Sequence, residues 1–256
     1  MMPQQRIRLA VSGSYSSGKT TTAEALSVAT GIPRTDALTA REIVVDLLPR
    51  KQFQELSASE LLMLGLRRFE ERVQGEAQQS GSYISDGSVL HEWVYGEARM
   101  RVGINPGAPL LHRASKRIVG IPAKPYFQQY MNMYGTVTKD RAKRVYDIFV
   151  HLPVEFEMRA DGHRPVSEEY RRVADELLIE VLQELKIPYH VVGGSVRERV
   201  QKIVELLELP VEVPVDEAIA IATDRIERSR EMVAERVIAN QAPKSLRRRV
   251  RAATRY

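Results

Sequence analysis

Residues 13–20 read Gly13-Ser14-Tyr15-Ser16-Ser17-Gly18-Lys19-Thr20, a G-x-x-x-x-G-K-[ST] pattern. That spacing suits one kind of chemistry. Glycines let the backbone wrap an anion with successive N–H groups, a lysine in this position reaches β and γ phosphates, and the next hydroxyl ligates Mg²⁺. Thr21 carries the chain into the following helix, whose positive end faces the same anion. Gly13, Ser14, Tyr15, Ser16, Ser17, Gly18, Lys19, Thr20 and Thr21 are therefore assigned to nucleotide binding, with ATP and Mg²⁺ as the expected ligands. Such a loop marks a triphosphate site without fixing the reaction, because kinases, switches and motors all use it.

A second residue narrows the chemistry. Asp86 closes the short run Tyr83-Ile84-Ser85 and is followed by Gly87-Ser88. A carboxylate at the C-terminal end of a parallel strand beside a phosphate loop can hold Mg²⁺ or accept a proton from a substrate hydroxyl. Further along lies Arg159-Ala160-Asp161-Gly162-His163-Arg164. Arginines on a segment there can fold over a triphosphate and stabilise the moving phosphoryl group. The expected catalytic set is thus Lys19, Asp86 and Arg164, with Arg159 on the nucleotide and Thr20 and Asp86 on the metal. Asp36, Arg41, Trp93, Tyr126 and Tyr130 are placed with the acceptor. Neither His112 nor His151 has a partner at metal-ligand spacing, so a transition-metal site is not expected.

These residues need a scaffold that brings strand ends together. Residues 6–11 form a short apolar run of the buried parallel-strand type, with a helix over 21–29 after the glycine loop. Residues 40–48 are helical, and Ser57 with Glu60 forms a capping box that opens a helix reaching about residue 78. Strands follow at 83–86, 145–152 and 189–192, and helices at 168–185 and 195–207. Strands alternating with helices imply a parallel sheet covered on both faces. The expected fold is α/β: a three-layer P-loop NTPase fold over residues 1–209 with a helical insertion at about 97–144. A helical extension with a basic tail occupies 210–256. In that extension Ile219, Ala222, Ile226, Val233 and Val237 share one helix face.

Composition bounds the alternatives. The 256 residues are 43% hydrophobic and 28% charged, as in ordinary globular chains. With no cysteine, disulfides, thiolate zinc sites and cysteine nucleophiles are excluded. No apolar run approaches the roughly 20 residues that span a bilayer, and the polar N-terminus leads straight into the loop. A cytoplasmic protein without membrane association is expected. The net charge of +5 is unevenly spread. Residues 97–144 carry ten basic side chains against Glu97 and Asp140, and residues 241–256 carry six basic and no acidic ones. An anionic partner should meet the protein at one of these segments.

Taken together, the phosphate loop, the Arg41-Glu42 pair, the strand ending in Asp86, the Asp161-Gly162-x-Arg164 lid and the Ile187-Pro188-Tyr189 strand entry resemble the kinase domain of NadR-type ribosylnicotinamide kinases. They are also similar to the wider set of nucleoside and nucleotide kinases. The resemblance spans about residues 6–208. It implies ATP-dependent phosphoryl transfer to a small acceptor, with Asp86 near the acceptor hydroxyl and Arg164 on the lid. The basic 97–144 region and the chain beyond Pro210 depart from the family pattern, so the acceptor's identity does not carry over.

The leading expectation is an ATP-dependent kinase of a nucleoside, nucleotide or related metabolite, the acceptor bearing a hydroxyl and sometimes an anionic group. The basic segments keep a polynucleotide-directed kinase open as a less favoured alternative. A nucleotide-dependent switch or ATPase is the third. The 219–237 face suits either a homodimer seam or docking on the chain's own domain.

Overall fold

The computed structural model describes residues 6–51, 55–103, 124–155 and 167–240. Its elements, in chain order, are β1 (Arg8–Ser12), α1 (Lys19–Thr30), β2 (Arg34–Thr35), α2 (Ala40–Leu47), α3 (Ala58–Ala77), β3 (Tyr83–Asp86), α4 (Val89–Val102), α5 (Lys124–Val145), β4 (Ile148–His151), α6 (Glu168–Leu185), β5 (Tyr189–Val191), α7 (Val196–Leu206) and α8 (Val215–Asn240). All five strands are parallel and lie in the order β2-β3-β1-β4-β5. This is the P-loop NTPase architecture expected from the alternation of strands and helices.

Alternation within the strands divides the core in two. Ala10, Tyr83 and Phe149 face a cluster built with α4, α5 and α6, including Leu90, Val94, Tyr170 and Leu178. Leu9, Val11, Ile84 and Val150 face the other way, onto α1, α7 and α8, with Leu26, Val200, Ile203 and Ala222. With both faces covered, the strands read as continuous apolar runs, which is why they were legible.

Helix starts follow their caps. Ser57 accepts from the Glu60 N–H while the Glu60 carboxylate receives the Ser57 N–H at 2.9 Å, and Thr39 with Glu42 and Ser195 with Glu198 repeat that arrangement. Each such cap contributes about 1 kcal/mol. Two elements differ from expectation. The two-residue β2 carries too little pattern to be seen alone and exists because β3 supplies its ladder, Arg34 opposite Ile84 and Thr35 opposite Ser85. The strand expected to begin at 145 begins at Ile148, because Val145 still belongs to α5. The helical insertion expected at about 97–144 has this 22-residue helix as its latter part.

The C-terminal extension packs on its own domain. Ala218 and Ala222 are buried in one core with residues of α1 and Ile226 is also buried, whereas Val233 and Val237 are only half-buried. The connecting stretch is tied down as well: the Glu212 and Val213 N–H groups both donate to the Ala29 carbonyl at the end of α1. Farther along α8, Arg236 meets Asp46 of α2 at 2.9 Å. Among the described residues no helix is long and apolar enough to cross a membrane. The expected lid, with Arg159, Asp161 and Arg164, lies outside the described residues, as do His112 and the basic tail.

Candidate active site

Sheet order decides what can meet. β1 is central, flanked by β3 and β4, so the loop leaving β1 sits between the carboxyl ends of both neighbours. Topology of this kind places ligands outside those strand ends.

The loop itself is a tightly built anion cradle. Gly13 has φ +138°, and a Cβ there would lie 2.4 Å from the Leu152 carbonyl oxygen after β4, so only glycine fits. Gly18 closes the loop at φ +88°, and Ser16, though not glycine, adopts φ +58°. Alternating backbone handedness of this kind turns successive N–H groups to one side. Helix α1 then starts at Lys19 with no side-chain cap and no acidic residue in its first turn. That start is one to which an anion is the natural complement. Lys19 Nζ donates to the Ser14 carbonyl at 2.6 Å, Thr20 is exposed at the mouth, and Thr21 is half-buried. The Ser14 and Ser17 hydroxyls are buried.

Beneath the loop is a polar layer that the sequence reading did not assign. The Ser14 N–H donates to Asp175 Oδ1 on α6 at 3.3 Å, and the same oxygen lies 3.2 Å from His151 Nε2. His151 Nδ1 is 3.3 Å from the Ser12 hydroxyl. His91 on α4 accepts the Ser88 N–H at Nδ1, 2.9 Å away. Burial, reinforced by the nearby positive charges of Lys19 and Arg72, holds the His91 imidazole well below its ordinary range. Such a group binds its proton in the unfolded chain before it does so in the folded one. Stability is therefore expected to rise with pH, by at most ~1.4 kcal/mol per pH unit, up to the ordinary histidine value of about 6.5 and to level off above it. Thermal unfolding from pH 5 to 8, repeated on His91→Gln, checks this; an unchanged slope in the variant contradicts it.

At β3, Asp86 ends the strand in register with Val11, two residues before Gly13, and the Gly87 N–H donates to the Val11 carbonyl. The Asp86 side chain is 11% exposed and meets Arg34 NH1 at 3.3 Å. Arg34 of β2 also holds Asp36 at 2.8 Å and Glu24 of α1 at 2.7 Å. One guanidinium thus joins Asp36 and Asp86. Behind them Arg72 donates to the Asp86 carbonyl at 3.0 Å and pairs with buried Glu92, which Arg68 also meets at 2.8 Å. Burial works against the charge of Arg68, but Glu92 outweighs it and holds that guanidinium above its ordinary value. Arg68, Arg72 and Glu76 recur every fourth residue on α3, the helical spacing that could have revealed this buried stripe.

The expected acceptor residues fall into two groups. Asp36 and Asp86 stand together, and Arg41 lies half-buried in the first turn of α2. Trp93 packs between helices instead: its Nε1–H donates to the Met131 carbonyl at 3.0 Å, and Lys139 lies 4.7 Å from its ring centroid. Tyr130 tilts against Tyr134 of the same helix, and Tyr126 is 67% exposed with an edge contact to Phe127. The tyrosine that does reach the cradle is Tyr95 of α4. It stacks on Tyr15 with centroids 4.4 Å apart, and Tyr170 of α6 lies beyond at 6.0 Å from Tyr15. Burial pushes the Tyr95 and Tyr170 phenols well up, so these two rings stay neutral.

Solved structures share this architecture at low sequence identity. Deoxyadenosine kinase from M. mycoides with bound dATP superposes with a TM-score of 0.54 and 15% identity, covering 79% of this chain and all of that one (100%). A NadR protein in complex with NR gives 0.53 and 18%, covering 81% of this chain and 53% of that one. No curated protein matches the sequence. The sequence from β1 to Arg199 on α7 does fit a family model: residues 8–199 match the one described as an AAA domain, and this chain belongs to that family.

Proposed function

We propose that the protein transfers the terminal phosphoryl group of ATP to a hydroxyl of a small acceptor, a nucleoside, nucleotide or related metabolite. The observation that carries this reading is the pairing of an uncapped, acid-free helix start behind the 13–20 loop with a strand-end carboxylate in register beside it. The first provides an anion site and the second a proton acceptor. A switch or simple ATPase would have no need of the joined Asp36–Arg34–Asp86 group.

The residues fit a magnesium-bearing triphosphate. The loop's backbone N–H groups and the first turn of α1 would receive the phosphates, and Lys19 adds a mobile positive charge. Thr20 and Asp86 would hold Mg²⁺. When bound, that ion neutralises charge on the phosphates. Asp86 receives the acceptor's hydroxyl proton as its oxygen attacks the γ phosphorus and the bond to the β-phosphate oxygen breaks, leaving ADP. Arg34 holds Asp86 in place through the 3.3 Å ion pair, and Asp36 lies at the acceptor side. Arg164 and Arg159 are assigned to the closing segment over the phosphates.

A small acceptor is favoured over a polynucleotide because four of the described cations of α4 and α5 are paired within the protein. Arg101 pairs with Glu97, Arg141 with Glu76, Arg144 with Asp140 and Lys139 with Glu184. A nucleoside-like acceptor accords with the structural neighbours, one named as a deoxyadenosine kinase. The test is an acceptor screen with ATP and Mg²⁺ over nucleosides, nucleotides and amino sugars, read by mass. Gain of one phosphate by an acceptor is expected; ATP hydrolysis at the same rate with every acceptor and none phosphorylated contradicts the proposal.

A further inference from the structure

Two arginines whose surroundings are almost wholly protein touch the phosphate loop from behind. Arg171 of α6 is 0% exposed and Arg199 of α7 is 1% exposed. Arg171 donates through Nε to the Tyr15 carbonyl at 3.0 Å, and Arg199 donates through NH1 to the Ser17 carbonyl at 2.5 Å. Arg199 sits so close that a Cβ on Gly18 would come within 3.0 Å of it. These are alternate peptides of the loop, flanking Ser16.

A trans peptide points its carbonyl and the following N–H in opposite directions, and the described residues contain no cis bond. Fixing the Tyr15 carbonyl on one side therefore aims the Ser16 N–H at the other, and fixing the Ser17 carbonyl does the same for the Gly18 N–H. Ser16 between them holds a left-handed φ of +58°, a conformation a non-glycine residue keeps only when its surroundings over-determine it. Neutral donors would suffice for a purely structural tie, and a buried guanidinium is costly. Its charge polarises the peptide it binds, which makes the N–H on the opposite side a stronger donor to an anion.

Each arginine is steadied on its outer side. Arg171 meets both oxygens of Glu168 at 2.9 Å. Arg199 meets Glu155 at 2.8 Å, and the same Glu155 oxygen accepts the Gly194 N–H at 2.8 Å. The hydrogen bond from Arg199 holds the Glu155 carboxyl below its ordinary range.

We propose that Arg171 and Arg199 are positioning residues for the triphosphate, clamping the Tyr15 and Ser17 carbonyls so that the Ser16 and Gly18 N–H groups are set toward the phosphates before binding. The inference rests on the triphosphate reading above and names the parts that pre-form its site. Preorganised donors bind an anion without the cost of ordering the loop.

The experiment measures affinities of the intact chain for Mg·ATP and for inorganic tripolyphosphate by calorimetry, together with acceptor KM at saturating ATP. Arg171→Lys and Arg199→Lys keep charge but lose the planar fork. Both are expected to weaken ATP and tripolyphosphate by the same factor, about tenfold, the size of one charged hydrogen bond, with acceptor KM unchanged. Glu155→Gln, at a partly exposed position, releases Arg199 without emptying the core. It is expected to show a smaller loss of the same kind, about threefold, which covers the case of an unfolded lysine variant. Wild-type affinity for both ligands in Glu155→Gln, or in either lysine variant when folded, overturns the inference. Parallel loss of acceptor binding also overturns it, since that marks general loosening. If the wild-type chain binds neither ligand, the triphosphate reading itself fails, an outcome distinct from these.

Discussion

Lys19→Ala is expected to lower kcat by about a hundred- to a thousandfold, the effect of deleting a charged group aimed at transition-state charge, and to weaken ATP as well. Lys19 contributes nothing to the apolar core: it is half-buried, and its Nζ is satisfied by the Ser14 carbonyl. The loop is held independently by the Gly13 fit against Leu152, the Arg171 and Arg199 bonds and the Ser14 N–H to Asp175 bond. Unfolding temperature should therefore stay close to wild type while turnover collapses. Steady-state rates and a thermal melt on the same preparation check this. A variant retaining a tenth or more of wild-type turnover contradicts the role assigned to Lys19.

Asp86→Asn is expected to cost about a hundredfold in kcat, the lower range for loss of a positioned general base, with the ATP dissociation constant within about threefold of wild type. Asparagine preserves the size of the side chain and can still face Arg34, so the strand end keeps its shape. What it loses is the negative charge that draws the hydroxyl proton. The prediction separates two roles. A loss confined to kcat marks proton transfer, whereas a rise in the Mg²⁺ concentration needed for half-maximal rate marks the metal-holding role. Turnover equal to wild type removes Asp86 from the chemistry.

How much of this was visible in the chain follows from the range over which each signal acts. The phosphate loop was fully legible, because its function depends on local backbone geometry written by Gly13, Gly18, Lys19 and Thr20 within eight consecutive positions. Helices α3 and α6 were legible for a similar reason, α3 from its Ser57–Glu60 capping box and α6 from the helical spacing of its apolar and charged residues. The Arg34 link was not. It joins β2, α1 and β3 across 52 residues of sequence, and its strand is two residues long and ordered by its neighbour. Arg171 and Arg199 escaped because a lone arginine on an amphipathic helix reads as a solvated charge. Only the packing of α6 and α7 beneath the loop turns them inward. Trp93 and Tyr130 read alike in sequence as aromatic binding groups, yet the α4–α5 contact occupies Trp93 with Met131 and Lys139. The helix face at 219–237 showed that α8 buries something. That the partner is α1 became evident from the joined core around Ala222.

Titration of Mg·ATP into the intact chain by calorimetry tests the central claim most directly. One site is expected, with a dissociation constant in the micromolar to millimolar range, roughly the span of enzyme substrates, and with affinity falling in Lys19→Ala. Absence of any heat of binding for ATP and for GTP, in a chain shown by its melt to be folded, would contradict the account at its root.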